Sequence, residues 1–284
     1  MKKVTDGKRN GIQWTLWDQL DDLDFADDLP LLSHNQQQMQ QKTEELFIES
    51  KTVGLSIHKG KTKVLKVNDK SNNPVKLENE AIEEVEAFTY LGSVVDKLGG
   101  TDADIKTRIS KARGAFIQLN KVWKSREIGQ QTKIRIFNSN VKSVLLYGAE
   151  TWRTTKGNLH KIQTFVNTCL RKIMKIHWPE KVSNKELWQR TSQRPMEEEI
   201  LRRKWGWLGH TLRNPANNIT HQALTWNPQG KRKRGRPRNS WRRDLNKEVA
   251  ETGMGWRQMV AAAQDRRRWR GVVNGLSTRR RDGP

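Results

Sequence analysis

The segment Leu20-Asp-Asp-Leu-Asp-Phe-Ala-Asp-Asp-Leu-Pro-Leu-Leu-Ser33 lies at the centre of the predicted fold. Two mainly apolar pieces flank a small residue, Ala26, and the adjacent carboxylates Asp27 and Asp28. Apolar segments on either side of a short polar tip are typical of a tight β-hairpin. The sequence therefore predicts a hairpin with both acids at its tip.

Two interpretations of Asp27 and Asp28 follow from this pattern. Adjacent carboxylates repel each other, so a bound cation would stabilise them. A pair of Mg²⁺ ions fits, because hard cations take carboxylate oxygens and two-metal sites promote phosphoryl displacement. The alternative is a solvated acidic turn that binds nothing.

Charge is distributed unevenly along the 284 residues, which suffice for one large domain or two smaller ones. Residues 1–100 carry 13 basic and 17 acidic side chains, whereas residues 101–284 carry 41 and 14. Net charge is therefore −4 in the first part and +27 in the second. Such a positive field predicts a polyanionic partner. Nucleic acid is favoured over a membrane, because no basic amphipathic helix stands out as a surface anchor.

Cysteine usage and hydropathy narrow the class of protein further. Cys169 is the single cysteine, which excludes an intramolecular disulfide and a cysteine-based zinc site. It lies on an apolar helix face and is predicted to be a small buried hydrophobe. No apolar run approaches the roughly 18 residues of a membrane span, and the first residues lack the apolar core of a secretory signal. We expect an intracellular protein.

A helix and several strands are predicted between the hairpin and residue 100. Ser33 or Asn35 can cap a helix that runs to about Val53, followed by Gly54 at a left-handed cap position. Its predicted inward residues are Met39, Leu46, Phe47 and Val53.

The strands follow this helix in three groups. A strand pair is predicted over Leu55–His58 and Thr62–Val67, joined by a basic turn that contains glycine. A further strand is predicted over Glu80–Glu86. A hairpin is predicted over Phe88–Val95, with Gly92 near its turn.

From Thr101 onwards the pattern changes to helices. The first has apolar residues at strict helical spacing, which are Ile105, Ile109, Ala112, Phe116, Leu119 and Trp123. Arg108, Lys111, Arg113 and Lys121 lie off this stripe and are predicted to face phosphates or solvent. Two further helices are predicted over about 131–148 and 157–176.

The remaining helices are predicted from their caps. Ser183-Asn-Lys-Glu186 has capping-box spacing, and Pro195 suits the first position of a helix that runs to about Leu212. Two more helices are predicted over about 240–252 and 256–274. Tryptophans interleaved with arginine here could stack on bases; the alternative is that they belong to the core.

Residues 226–240 are too rich in glycine, proline and charge to form a core, and they predict an exposed linker. Within them, Arg234-Gly-Arg-Pro237 resembles an AT-hook core. Gly235 would let the backbone approach the minor groove, where the flanking arginines meet negative potential. A nuclear-localisation tract is compatible with this, and a flexible basic linker is the alternative. The candidate nucleic-acid contacts are Lys231, Arg232, Lys233, Arg234, Gly235, Arg236, Pro237 and Arg238.

Taken in order, these segments resemble the palm of a non-LTR (LINE-type) retrotransposon reverse transcriptase. Phe25-Ala-Asp-Asp28 is similar to the family's F/Y-A-D-D motif. Gly54-Leu-Ser-Ile-His-Lys-Gly-Lys-Thr-Lys63 is similar to its G-L-x-I-N-x-x-K-T motif, although His58 stands where the family usually has Asn. Phe88-Thr-Tyr-Leu-Gly-Ser93 resembles the primer grip.

Two later motifs extend the resemblance to roughly residues 10–275. Tyr147-Gly-Ala-Glu-Thr-Trp152 is typical of the region after the primer grip in these elements. Trp205-Gly-Trp-Leu-Gly-His210, followed by the basic tract, is similar to their C-terminal region. Related elements carry a Cys/His knuckle hereabouts, but without nearby cysteines we expect no zinc at His210 or His221.

The resemblance implies an α+β fold. Residues 1–100 would form a partial polymerase palm of antiparallel hairpins plus a helix, and residues 101–180 a helical thumb. Residues 181–284 would form a basic, mostly helical region that binds nucleic acid. The partners implied are an RNA template and a DNA primer or target, in the nucleus, with no membrane.

The resemblance also implies roles for individual residues. Asp27 would bind Mg²⁺ (or Mn²⁺) with help from Asp28. Lys61, or else Lys59, would protonate the departing pyrophosphate. Leu91 and Gly92 would place the primer strand. For each motif the alternative is an ordinary solvated or structural turn.

The family's fingers and first palm aspartate should precede residue 10, and this chain begins too late to hold them. We therefore expect a fragment with an incomplete active site and weak or absent polymerase activity. The neighbouring Asp21, Asp22 and Asp24 cannot fold back opposite their own hairpin tip. A non-catalytic DNA- or RNA-binding module is the second hypothesis, and reuse of the thumb for protein interaction is the third.

Overall fold

The computed structural model describes residues 10–15, 17–67, 71, 73–227 and 240–279. It divides into two compact units. The first comprises Met1–Gly100 with Thr225–Gly235, and the second comprises Thr101–Leu224 with Arg236–Pro284. No described helix is long and apolar enough to cross a lipid bilayer.

The first unit begins with two short antiparallel strands, β1 (Ile12–Gln13) and β2 (Gln19–Leu20). Trp226, which belongs to this unit, stacks on Trp14 at 5.2 Å between ring centroids. Its indole Nε1 donates a hydrogen bond of 3.0 Å to the carbonyl of Gln13. The prediction of an exposed linker is therefore wrong at its first residue, Trp226, because the indole ring packs against Trp14.

Helix α1 (Gln36–Thr52) follows the acidic hairpin. Asn35 caps it by accepting a hydrogen bond from the backbone N–H of Gln38, as predicted, and Gly54 beyond its end has a φ of 75°. Met39 and Phe47 pack on a small core of Val75, Leu77 and Ile82. Val53, predicted to face inward, is 67% exposed, because the helix ends before a further turn could bring it to the core.

The predicted strand over Leu55–His58 is absent. The backbone N–H of Leu55 instead bonds to the carbonyl of Ser50 and closes the helix end. The carbonyl of His58 accepts from Lys61 and Thr62, which starts a turn. The first N–H and the last carbonyl of the predicted strand are therefore already used.

The strand predicted over Thr62–Val67 is present only as the short strand β3 (Lys63–Val64). Its partner differs from the predicted one. It pairs in parallel with β6 (Glu83–Glu84). The lysine side chains of this segment form ion pairs with the glutamates opposite, Lys63 with Glu83 and Lys66 with Glu84. Charge complementarity between these lysines and glutamates accounts for the pairing of β3 with β6. The remaining short pair is β4 (Lys76–Leu77) with β5 (Glu80–Ala81).

The predicted hairpin near residue 90 is confirmed. Strands β7 (Ala87–Tyr90) and β8 (Ser93–Asp96) pair antiparallel in full register. The two-residue turn is Leu91-Gly92, and both residues have positive φ, 46° and 81°. Two left-handed residues are the requirement of a type I′ hairpin turn, whose twist matches the strands.

The second unit is helical in the part that the structure describes. Its helices are α2 (Asp102–Gln118), α3 (Asn120–Lys124), α4 (Gln130–Ile136), α5 (Ser143–Leu145), α6 (Lys156–Met174), α7 (Asn184–Arg190), α8 (Met196–Leu212), α9 (Ile219–Thr225), α10 (Trp241–Glu251), α11 (Trp256–Gln264) and α12 (Arg266–Arg279). A π-helical segment over Phe137–Lys142 joins α4 to α5, and a 3₁₀ turn covers Ala149–Thr151.

The helix predicted over 131–148 is continuous in direction but changes type at Phe137. Within the π-helical segment the side chain of Asn140 donates to the carbonyl of Ile136, and Ser143 donates to the carbonyl of Ser139. Such local side-chain bonds compete with the regular helical ladder. Ile134, Phe137, Val141 and Leu145 nevertheless all reach the core.

Two apolar cores stabilise the second unit, and they divide within helix α8. The first gathers Ile105, Phe116, Phe137, Leu170 and their neighbours, and ends at Ile200. The second begins at Leu201 and gathers Trp205, Leu245, Met259, Trp269 and Leu276. The domain boundary predicted near residue 180 stays a prediction. The two cores instead divide within α8, which supplies residues to both.

Candidate functional site

The acidic hairpin is present. Phe25 and Asp28 exchange both backbone hydrogen bonds at 3.0 Å, and Asp22 bridges to Leu31 further down. The tip is Ala26-Asp27, with Ala26 in the left-handed region at a φ of 52°. Asp27 therefore occupies the turn itself, and Asp28 is the first residue of the returning strand.

Both carboxylates lie on the surface of the first unit. Beside them, the hydroxyl of Tyr90 donates a hydrogen bond of 2.6 Å to the carbonyl of Leu23. Burial raises the pKa of Tyr90, with Asp28 and Asp24 adding to the effect. Burial also raises the pKa of Asp24, and its neighbour Asp22 reinforces the shift. The tip is therefore a region of concentrated negative charge.

Lys42 holds the base of this hairpin, a role that the sequence prediction missed. Its side chain is 1% exposed and its Nζ donates to the carbonyl of Leu32 at 2.8 Å. The same ammonium forms an ion pair with Asp21. The sequence alone does not predict that a lysine on the polar side of a helix is buried. The carbonyls that accept its hydrogen bonds lie in a turn that is distant in sequence.

The tip offers two donor groups to a metal ion. In the described part of the chain, no group of three or more His, Cys, Asp or Glu side chains is placed to share one ion. Two exposed adjacent carboxylates suit a single weakly held divalent cation. They do not supply the donor set of a two-metal centre for phosphoryl transfer.

Lys61, the predicted general acid, is exposed. Its backbone N–H bonds to the carbonyl and to Nδ1 of His58 at 3.0 and 3.2 Å. Lys59 instead forms ion pairs with Glu78 and Glu80 at 3.0 and 3.3 Å. The turn thus leaves Lys61 directed to solvent, while its neighbour is engaged by glutamates.

Leu91 and Gly92, the predicted primer-grip residues, form the tip of the second hairpin. Leu91 is 37% exposed and adopts a left-handed conformation, which is uncommon for a residue with a branched side chain. The geometry explains Gly92 through the turn alone. The same turn requires the left-handed conformation of Leu91.

The motif Tyr147–Trp152 is partly buried in the second unit, where Ala149 and Trp152 are core residues and Tyr147 is 52% exposed. Gly148 has a φ of 73° and turns the chain. Trp152 is 2% exposed, and its Nε1 donates to the carboxylate of Asp104 at 2.8 Å. Arg108 lies over the ring of Tyr147 at 4.3 Å. The prediction of Arg108 as an outward residue is wrong, because it is 5% exposed between an aromatic ring and Asp104.

The motif Trp205–His210 has one buried and one open face. Trp205 is fully buried, and its Nε1 donates to Glu248 at 2.8 Å. Lys204 forms a buried ion pair with the same carboxylate at 2.5 Å. On the open face, Gly206 and His210 are exposed. Of the tryptophans flanked by arginine, Trp269 is 4% exposed and is a core residue.

The basic tract Lys231–Arg238 lies outside the described residues. Its predicted contacts with nucleic acid therefore stay predictions.

Comparisons with known proteins give two matches. Residues 115–147 match the model of a domain of unknown function, DUF6451. These residues cover the end of α2, helices α3 and α4, and the π-helical segment, which together contribute much of the first core. No solved structure matches the chain.

The second match extends over most of the chain. An uncharacterised transposon-derived protein of Caenorhabditis elegans is 25% identical over 273 residues, covering 91% of this chain and 97% of the relative. Because the similarity extends over both units, it supports a transposon-related origin for the chain as a whole.

Proposed function

We propose that the chain derives from the C-terminal part of a non-LTR retrotransposon reverse transcriptase and acts as a nucleic-acid-binding protein. The order of the motifs along the chain and the similarity to a transposon-derived relative support this origin. The two hairpins, with Asp27 and Leu91 at their tips, are compatible with remnants of a palm.

One observation carries the binding function. Helices α2 and α3 expose basic side chains that form no ion pair with a described residue, and these are Lys106, Lys111, Arg113, Lys121 and Lys124. Lys106 and Arg113 are seven residues apart and therefore share a helix face. Exposed cations without acidic partners attract a phosphate backbone without recognising sequence.

Polymerase chemistry is not expected of these residues alone. An Mg²⁺ or Mn²⁺ ion would be held by Asp27 and Asp28, where it would supply positive charge for a phosphate. The described residues place no third carboxylate there. Primer extension with Mg²⁺ tests this point. We expect no extension, and robust extension abolished by Asp27→Asn would contradict it.

Binding is tested by fluorescence anisotropy with labelled RNA and DNA strands. Lys106→Glu/Arg113→Glu should weaken binding at least tenfold, because each reversal replaces attraction with repulsion. Lys97→Glu, in the acidic first unit, is the control and should have little effect. Binding that is equally lost in the control, or unchanged in the double variant, would contradict the assignment.

We also propose that the tract Lys231–Arg238 directs the protein to the nucleus. Its spacing of basic residues fits both an import signal and minor-groove contacts. A fluorescent fusion should be nuclear, and Ala at all six basic positions of the tract should make it diffuse. Unchanged nuclear accumulation of that variant would remove this part of the proposal.

A further inference from the structure

A groove of about 490 Å³ lies on the second unit between helices α8 and α12. Its charged lining consists of Arg202, Arg213, Arg266 and Arg270, with His210 beside them and Trp269 as a wall. No carboxylate lines it. The positive groups therefore face a common space, and no acidic side chain belongs to its lining.

Helical spacing explains why these cations converge. Along α8, Arg202, Gly206 and His210 follow at intervals of four, and Arg213 lies three residues further, so they share one face. Arg266 and Arg270 are one turn apart on α12. A rise of 1.5 Å per residue separates Arg202 from Arg213 by about 16 Å. The groove is therefore long enough for more than one phosphate.

The two arginines of α8 are held in place. Arg202 donates to Asn274 at 2.7 Å and to Ser277 at 3.0 Å; a carboxylate, that of Glu198, lies 3.9 Å from it. Arg213 donates to the carbonyl of Ala263 at 2.9 Å. A guanidinium has five N–H donors, so each keeps donors for a ligand.

The two arginines of α12 are exposed and have no partner among the described residues. Their neighbours Arg267 and Arg268 are exposed as well, but they do not line the groove. The same helix therefore presents two pairs of arginines with the same charge, of which only one pair faces the groove.

The groove has free space beside Gly206. A Cβ built at this position would meet no atom within 4 Å. Trp269 is fixed by a hydrogen bond of 2.9 Å from its Nε1 to the carbonyl of Trp205. Because that ring is 4% exposed, it cannot stack on a base. The lining is suited to a charged backbone.

We propose that this arginine groove binds successive phosphodiester groups of a nucleic-acid strand. Two anchored and two free guanidiniums would contact phosphate oxygens with charge-assisted hydrogen bonds. The contact is independent of sequence. The inference rests on the proposed nucleic-acid binding and gives it a specific location.

The test compares variants of the full chain by anisotropy with labelled 20-nucleotide RNA and DNA strands. Arg266→Ala/Arg270→Ala should weaken binding about tenfold. It should also reduce the slope of log K against log salt concentration by the contribution of about two phosphate contacts. Arg267→Ala/Arg268→Ala removes the same charge outside the groove and should have a clearly smaller effect. Thermal unfolding checks that both variants are folded.

A second pair of variants, both at Gly206, leaves the arginines in place. One variant adds a carboxylate to the groove and the other is its control. Gly206→Glu should weaken binding, because it places a carboxylate among the arginines in space that is empty. Gly206→Ala should bind as the wild type does. The RNA and DNA arms identify which strand the groove prefers.

Four outcomes would overturn the groove assignment. Equal losses in the two double-arginine variants would show that net charge alone matters. Undiminished binding by Arg266→Ala/Arg270→Ala while the wild type binds would leave the proposed function intact and reject the groove. A polyglutamate peptide that binds as tightly as the strand would reject the phosphodiester assignment. Absence of wild-type binding would overturn the groove together with the proposed function.

Discussion

Two glycines in helix α8 have opposite steric surroundings. A Cβ at Gly209 would lie 2.0 Å from Nε1 of Trp269, whereas one at Gly206 would meet no atom within 4 Å. Gly209 is therefore required by the contact between α8 and α12. Gly206 is not required by packing, because an added methyl group would meet open space.

We expect alanine at these two positions to have opposite effects on stability. Gly209→Ala should lower the free energy of unfolding by about 1–3 kcal/mol, because the indole must move. Gly206→Ala should raise it by about 0.5–1 kcal/mol, because alanine favours a helix interior. Urea unfolding of the two variants measures both. A stable Gly209→Ala protein would contradict the packing described here.

Cys169 is expected to be inert. It is 3% exposed on α6, and burial raises the pKa of its thiol to about 12. Below that pH the thiol is protonated, and the thiolate is the reactive form. A thiol reagent at pH 8 should label the native protein slowly and the urea-unfolded protein fast. Rapid labelling of native protein would show that α6 opens.

Sequence patterns predicted apolar residues of the helical unit better than charged ones. Cys169 is buried as expected, and the stripe predicted from periodicity is buried at four of its six positions and partly buried at Ile109 and Leu119. Lys42 and Arg108 were not predicted to be buried, because their partners lie far away in sequence. A charged residue becomes buried only when distant carbonyls, acids or rings meet it, and spacing along one helix carries no information about them.

At the scale of elements, the clearest departure is the break at Asp265. One helix was predicted over 256–274, but the structure has α11 and α12 on either side of this residue. The backbone of Asp265 is extended. Its carboxylate accepts from the N–H groups of Arg267 and Arg268 at 2.7 and 3.3 Å, which is the geometry of an N-terminal cap.

Asp265→Ala should remove this cap and destabilise the protein by about 0.5–2 kcal/mol. Asp265→Ser should restore most of the loss, because a hydroxyl can accept the same hydrogen bond. Thermal or urea unfolding distinguishes the two variants. Equal stability of Asp265→Ala and the wild type would mean that the break between α11 and α12 does not depend on the cap.

The hairpins at Ala26-Asp27 and Leu91-Gly92 were predictable, whereas the predicted pair over Leu55–His58 and Thr62–Val67 does not form and the longer-range pairing was not predicted. The turns at Ala26-Asp27 and Leu91-Gly92 are local, so the residues that form them are adjacent in the sequence. The parallel pair of β3 with β6 joins segments about 20 residues apart and depends on lysines meeting glutamates. No local signal specifies such a partner.

At the scale of the whole molecule, opposite charges are separated along the chain. The first unit concentrates acids at the hairpin tip, whereas the second exposes the basic side chains of α2 and α3 and the arginine groove. The sequence predicted this asymmetry from its charge counts. It could not locate the groove, because Arg202 and Arg270 come together only when α8 and α12 pack.

The measurement that tests the proposed function most directly is the salt dependence of nucleic-acid binding. The full chain is titrated onto a labelled strand between about 50 and 200 mM salt, where each phosphate contact contributes about 0.7–0.9 to the slope. We predict a slope of about −3 or steeper, unchanged by Asp27→Asn. A slope near zero, or no binding at the lowest salt, would contradict the account.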